Sequence, residues 1–355
     1  MKVLVVSGIW PPDVGGPASH APEVAGWLLA RGHRVEVVTT ARRVPPSAGY
    51  PVHWTSRRLP KGVLHLHTTS LVRRRAAAAG VVYTTGMFGR SALGALVART
   101  PYVVKLTADP AFERARRRGE VSGDVEDFQR GGGGLRGVAY RAARDAELRR
   151  AFHVFCPSAW LRDLALTWGL DPARVSVLPN PAPTLPKLAP RDELKRSFGA
   201  NGATLAFAGR LTVQKSLGLA LEERAQALGI ADRVRFLGPQ PRERVVELFR
   251  AADASILSSS WENFPHTVVE ALAAGTPVLA TATGGVAEVV EDEVNGLLVP
   301  PGDADSLAAA VRRFFADADL RSRLREHAAA SVAAYARDSV FERLEQVLAA
   351  AAQRG

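Results

Sequence analysis

ASILSSSWENFPHTVVEALAAGTPVLATATGGVAEVVEDEVNGLLVP, residues 254–300, decides how this chain folds. It reads as strand, loop, helix, strand, loop, helix, strand. Ala254–Ser259 is a short apolar run ending in serines. Phe264–Ala274 has helical spacing, with Pro265 where a first-turn proline fits and Gly275 where a helix stops. Pro277–Ala282 is the next apolar run, and Gly284-Gly285 punctuates before another expected helix. In a parallel sheet both loops lie at the carboxyl edge of their strands, where open α/β sheets bind ligands. Glu262 in the first loop and Glu270 inside the following helix flank that helix start. Backbone N–H groups for phosphate and carboxylates for hydroxyls suit a nucleotide-linked substrate.

Working outward, Lys2–Ser7 is a buried-type strand, followed by the loop GIWPPDVGG and a helix from about Pro17 to Arg31 that Gly32 ends. Arg34–Thr40 follows as a strand. Gly15 and Gly16, just before a helix N-terminus, would let a phosphate or sugar approach the backbone. The spacing is not GxGxxG, and the second strand ends in Thr39-Thr40 rather than an acid. A dinucleotide-dependent oxidoreductase is disfavoured on both counts.

Further strand-like runs are Pro51–Ser56, Val81–Thr85, Pro101–Leu106, Phe152–Cys156 and Arg174–Leu178, with helical patterns at Gly89–Arg99, Leu135–Arg150 and Ala159–Trp168. Such alternation predicts a doubly wound parallel sheet. Phe112–Gly134 is charged and glycine-rich, and reads as a mobile surface excursion: either a plain solvated loop or a flap on the acceptor side. Proline-rich Asn180–Asn201 marks a domain boundary. Beyond it, strands are expected at Thr204–Ala208, Val234–Leu237, Ala254–Ser258, Pro277–Ala280 and Gly296–Val299, then helices from Asp305 to Ala352.

The chain's 355 residues, 47% hydrophobic, are enough for two cores. Cys156 is the single cysteine, which excludes an internal disulfide framework and a multi-cysteine metal site. No apolar run reaches the length of a membrane span, and Met1 leads straight into a strand rather than a signal peptide. The expected location is therefore cytoplasmic. The net charge of +11 is uneven: residues 1–180 hold 26 Lys+Arg against 13 Asp+Glu, and residues 181–355 hold 20 against 22. Two readings stand side by side: the Arg-rich composition of a GC-rich genome, and a first half that meets an anionic membrane surface or a phosphorylated acceptor. Nucleic acid is not favoured, because the Arg clusters lack interleaved aromatics.

In AGRLTVQK, Arg210 and Lys215 follow the first strand of the second domain, two cations suited to a departing diphosphate. With Glu262-x7-Glu270, the run EALAAGTPVLATATGGVAEVV…NGLLVPPGD and the opening GGPASHAPEVAGWLLARGHRVEVVTT, the chain resembles retaining glycosyltransferases of family 4 over nearly its whole length. The resemblance implies an α/β GT-B fold: two Rossmann-like domains facing a cleft, the acceptor side in 1–182, the nucleotide-sugar donor side in 183–335, and a last helix in 336–355 returning to the first. It implies transfer of a sugar from a UDP-, GDP- or ADP-linked donor to a glycan or lipid-linked acceptor hydroxyl, with retention and no metal or cofactor.

By the same resemblance, Gly209, Arg210 and Lys215 would hold the donor diphosphate, with Gly15 and Gly16 against it. Glu270 would take the ribose hydroxyls and Glu262 would face the sugar. Asn263, Phe264 and Pro265 stand where the family often has Gly-Phe-Gly; because Pro265 lacks an N–H, donation would fall to neighbours including His266 and Thr267. His20 and Glu288 read as structural. In VVKLTADP the chain lacks the histidine of many relatives; Asp109 is the candidate for its place, or else caps the helix after it. The chain also departs from its relatives after Lys215, where QKSLGLA runs directly into LEERAQALGI. A helix, a strand and a turn are expected to be missing there. Besides transfer, a sugar-nucleotide epimerase or hydrolase and a non-catalytic nucleotide-binding or scaffold relative remain open.

Overall fold

The structure, a computed structural model, describes residues 1–13, 16–121, 123–209 and 217–354. Its strands are β1 Lys2–Ser7, β2 Arg34–Ala41, β3 Val52–Ser56, β4 Val81–Thr84, β5 Tyr102–Lys105, β6 His153–Cys156, β7 Val175–Val177, β8 Leu205–Ala206, β9 Ala254–Leu257, β10 Val278–Thr281 and β11 Gly296–Val299. The helices are α1 Gly16–Ala30, α2 Lys61–Ala76, α3 Phe88–Ala98, α4 Pro110–Arg117, α5 Val125–Gln129, α6 Gly134–Arg149 and α7 Ala159–Leu166. They continue with α8 Arg191–Ser197, α9 Leu217–Ala227, α10 Arg242–Ala251, α11 His266–Ala273, α12 Ala304–Ala316, α13 Ala318–Ser331 and α14 Arg337–Ala352. The chain divides into two compact units, residues 1–181 with 335–355, and residues 182–334.

The first unit is built on a parallel seven-stranded sheet in the order β3-β2-β1-β4-β5-β6-β7. Its strands read as unbroken apolar runs because both faces are covered. One face packs Leu4, Val6 and Val104 against Leu71 and Val72 of α2, Ala92 of α3 and Leu161 of α7. The other packs Val3, Val5 and Tyr83 against Val24 and Leu28 of α1. Helix α14 belongs to this second face: Val340, Phe341, Leu344 and Leu348 are buried there, and Trp27 Nε1 donates to Asp338 at 3.0 Å. At roughly 1.5–3 kcal/mol per large side chain buried, α14 is an integral part of that core.

Phe112–Gly134 corrects the expectation of a mobile excursion. It holds the end of α4 and all of α5, and Phe112, Val125 and Phe128 are buried, the two rings 5.8 Å apart. The charged appearance of the segment comes from the outer face of α4, where Arg114, Arg116 and Arg117 lie.

The second unit carries a four-stranded parallel sheet in the order β11-β10-β9-β8. Ala254, Leu279 and Leu297 of its strands pack on Phe314 of α12 and on Leu320 and Leu324 of α13. The strand expected at Thr204–Ala208 is reduced to two residues, and Val234–Leu237 forms no strand among the described residues. The physical reason is the lack of a neighbour: β8 pairs with β9 on one side, through Leu205↔Ala254 and Ala206↔Ser255, and the described residues supply no strand on the other. Phe207 and Phe236 are consequently 48% and 41% exposed. The short β8 is pinned at its start by Asp253, whose Oδ2 accepts from Thr204 N at 2.8 Å and from Lys195 Nζ at 3.0 Å, while Arg191 holds Oδ1. Burial alone would push that carboxyl up, but these donors outweigh it and hold it below its ordinary range.

Candidate functional site

The parallel register Ser255↔Val278 and Leu257↔Ala280 ends β9 and β10 side by side, so their following loops meet at one sheet edge. Thr281 Oγ1 donates to Ser259 O at 2.6 Å, Thr283 Oγ1 to Ser260 O at 3.2 Å, and Gly285 N to Glu262 O at 3.1 Å. Contact is closest at Gly284, whose φ is +51° and where an added Cβ would stand 1.8 Å from Glu262 O. Only glycine fits: no side chain can enter, and the backbone is left-handed. Gly284-Gly285 therefore act by locking the Glu262 loop. They open a 3-10 turn, Gly284–Glu288, where the sequence reading expected a full helix. Glu288 is exposed at its end.

Helix α11 starts after Pro265 and buries Val268, Val269, Ala271 and Leu272. Phe264 is also buried, its ring 5.5 Å from that of His266 and nearly perpendicular to it. The His266 amide, expected to donate to a ligand, is donated to Phe264 O at 3.1 Å, leaving Thr267 of that pair. The Pro265 carbonyl accepts from the Val268 and Val269 amides at 3.0 and 3.1 Å. Asn263 is half-buried in the same loop. The Glu270 side chain lies largely buried, and its Oε1 accepts from Arg242 Nε at 2.9 Å. Sequence reading missed Arg242, the first residue of α10. Its position after Pro241, at a helix start, was the available signal. Among the described residues, the structure thus brings together Glu262, Asn263, Phe264, His266, Thr267 and Glu270, and adds Arg242. Gly209 is exposed just past β8. Gly15, Arg210 and Lys215 lie outside the described residues, and Gly16 is the first residue of α1.

In the first unit, Asp109 is corrected. Its Oδ1 accepts from Ala111 N at 2.8 Å as the cap of α4, and its Oδ2 accepts from Arg144 Nη1 at 2.8 Å and Gln129 Nε2 at 2.7 Å. With its side chain fully buried, the carboxylate ties three helices together and does not face a substrate. His20 Nε2 lies 2.9 Å from the Tyr83 hydroxyl, inside the core with Phe341. Lys105 is fully buried and donates to Leu178 O. Burial pulls its ammonium down to about 7; Cys156 opposes the shift and Arg343 adds to it. No group of three or more His, Cys, Asp or Glu among the described residues is arranged to hold a metal ion.

Two family models match the chain. Residues 15–181 match the glycosyl transferase 4-like domain and residues 193–331 the glycosyl transferases group 1 domain, one in each unit. The chain belongs to the group 1 glycosyltransferases of the family 4 type. D-inositol 3-phosphate glycosyltransferase of Mycobacteroides abscessus is 35% identical over 173 residues, 40% of this chain and 39% of that protein. The chain spans less than half the length of the first curated relatives it matches. The Acidothermus cellulolyticus protein of the same name is 26% identical over 396 positions, covering 93% of this chain and 84% of that one. That alignment is longer than the chain's 355 residues, so the relative carries residues this chain lacks. In solved structures, HepE of Anabaena with UDP-glucose superposes at a TM-score of 0.78, 19% identity, over 99% of this chain and 100% of that one. Sucrose-phosphate synthase of Thermosynechococcus elongatus superposes at 0.80, 18% identity, over the full length of both. The fold of the chain is accordingly GT-B, α/β with two parallel sheets.

Proposed function

We propose that this chain moves a sugar from a nucleotide diphosphate sugar to an acceptor hydroxyl with retention, using no metal and no cofactor. The observation that carries the reading is the locked pair of loops after β9 and β10. Gly284 is pressed on the Glu262 carbonyl, and Glu270 stands in α11, the helix that follows the Glu262 loop. In this reading Glu270 accepts from the ribose hydroxyls, with Arg242 orienting its carboxylate. Glu262 faces the sugar, and the amides around Asn263 and Thr267 line the phosphates. Arg210 and Lys215 bear the charge that builds on the diphosphate as the bond from the sugar C1 breaks. The acceptor oxygen forms its new bond on the same face, and its proton passes to the departing phosphate. No protein nucleophile is invoked. The names of the relatives make a small polyol phosphate one acceptor this reading admits.

The test is donor turnover across UDP-, GDP- and ADP-sugars. Glu270→Ala and Arg210→Ala should each abolish it while the fold remains intact, and normal turnover in either would sink the assignment. A second reading, a non-catalytic relative, draws on the four-stranded second sheet with its two-residue edge strand. Calorimetry with UDP, GDP and ADP tests it: no nucleotide binding at all would favour the scaffold, and binding without sugar turnover a nucleotide-binding relative. No helix among the described residues is long and apolar enough to cross a membrane. We place the protein in the cytoplasm, its basic first half touching the inner membrane face. Co-sedimentation with anionic vesicles checks this, and no binding at low salt would remove it.

A further inference from the structure

In the first unit the strand order reverses between β1 and β4, and a doubly wound sheet opens its binding crevice outside the carboxyl ends of such a pair. The loops after these two strands touch. A Cβ on Gly86 would stand 3.1 Å from Gly8 N, and Met87 takes a left-handed φ of 57° to start α3 beside them. Arg90 is the third residue of α3, and its Nη1 is buried with no hydrogen-bond partner. A buried guanidinium nitrogen without an acceptor is costly, and burial indeed pulls this group below its ordinary range.

The surroundings are also cationic. Partial burial, then the charges of Arg90 and Arg114, lower the imidazole of His65 on α2, so three basic side chains from α2, α3 and α4 share one field, His65 and Arg114 exposed and Arg90 half-buried. Arg114 also lies over the Tyr140 ring, 5.5 Å from its centre. One carboxylate stands nearby: Glu147 of α6, whose Oε1 would be 2.5 Å from a Cβ on Gly89. Burial pushes that carboxyl up while Arg114 draws it back, and it does not partner Arg90 Nη1. Among the described residues, two guanidinium groups and an imidazole outnumber this coupled carboxylate and leave room for a further anion.

We propose that the β1/β4 crevice of the first unit binds a phosphate monoester on the acceptor, held by Arg90 with Arg114 and His65 around it. This rests on the glycosyl-transfer reading for the word acceptor, while the anion site itself does not. A monoester dianion suits the site better than a diester, since it matches two guanidinium groups and can draw a proton onto His65.

The experiment is calorimetric titration of the whole chain with inorganic phosphate and with glycerol 3-phosphate, alongside whichever of UDP, GDP or ADP the wild type binds. Arg90→Gln should weaken both phosphate titrations by about tenfold or more, Arg114→Gln by less, and Arg90→Lys should recover part of the loss. Nucleotide binding should stay unchanged in all three, which also shows that the variants fold. In the wild type, His65 should take up a proton as glycerol 3-phosphate binds. Phosphate binding that is absent in the wild type, or equal in wild type and Arg90→Gln, would overturn the site. So would loss of nucleotide in step with phosphate, which would assign Arg90 to the donor. Phosphatidylglycerol vesicles that displace glycerol 3-phosphate would reassign the crevice to a lipid headgroup. Failure of every nucleotide to bind would sink the transfer reading alone, and the phosphate titration would still decide the crevice.

Discussion

Replacing Gly284 with alanine tests whether the lock between the two loops matters. The new Cβ would stand 1.8 Å from Glu262 O, and a carbon–oxygen contact needs roughly 3.3 Å, so the loops must part by roughly 1.5 Å. That displacement breaks the 3.1 Å bond from Gly285 N to Glu262 O, a loss of about 1 kcal/mol. Holding alanine at φ +51° adds roughly 1–2 kcal/mol. Together these destabilise the second unit by about 2–3 kcal/mol, a fall in Tm of between about 4 and 12 °C at its size. The effect on turnover should be larger than the stability loss explains, because a displacement near 1 Å in a positioned group costs about 100-fold. Gly302→Ala is the control. Its φ is +79°, yet nothing lies within 4 Å of the added Cβ, so it carries the backbone penalty without the collision. The assay is donor-sugar turnover with calorimetric Tm for both variants. Equal turnover in Gly284→Ala and Gly302→Ala would refute the reasoning, since the collision with Glu262 is what separates them.

Two further outcomes follow from the two units separately. Lys105, lowered by burial to about 7 from 10.5, binds fewer protons folded than unfolded between those values, so the first unit gains stability as pH rises through the window. The unfolding free energy of wild type minus that of Lys105→Met should therefore climb by about 1.4 kcal/mol per pH unit between about pH 7 and 9, and a flat difference would contradict the burial. In the second unit, Phe207→Asn with Phe236→Asn should lower binding of an apolar dye and raise solubility without changing nucleotide affinity; unchanged dye binding would show that the exposed rings are covered in solution.

Much of the fold was legible because parallel strands covered on both faces leave continuous apolar runs, and because Gly32 and Gly275, at φ +81° and +76°, stop helices where glycine is needed. What escaped depends on partners distant in sequence. Phe112–Gly134 looks solvated residue by residue, and it is fixed by the Phe112–Phe128 contact and the Asp109–Arg144 pair, neither of which leaves a local period. Val234–Leu237 fails in the opposite sense: the β-forming residues are present, but a strand needs a neighbour and the described residues supply none. In the site, the spacing of Glu262 and Glu270 was readable, whereas Arg242 joins Glu270 across 28 residues and Arg90 becomes notable only once its nitrogen is seen to lack an acceptor.

The shortened edge of the second sheet and the candidate site depend on different contacts. The loops carrying Glu262 and Gly284 are positioned by the β9–β10 pairing and by hydrogen bonds from Thr281, Thr283 and Gly285. None of those groups belongs to β8. The core beneath them, Ala254, Leu279 and Leu297 on Phe314, Leu320 and Leu324, draws on β9, β10, β11, α12 and α13. The described residues supply no strand beyond β8, which leaves the Phe207 and Phe236 rings exposed at the edge, while the loop lock keeps its full set of partners. The edge and the lock should respond independently: edge variants alter association and dye binding, and Gly284→Ala alters turnover. Coupling between the two sets would mean that β8 carries strain into β9, and would make the unpaired edge a defect of the site as well as of the surface.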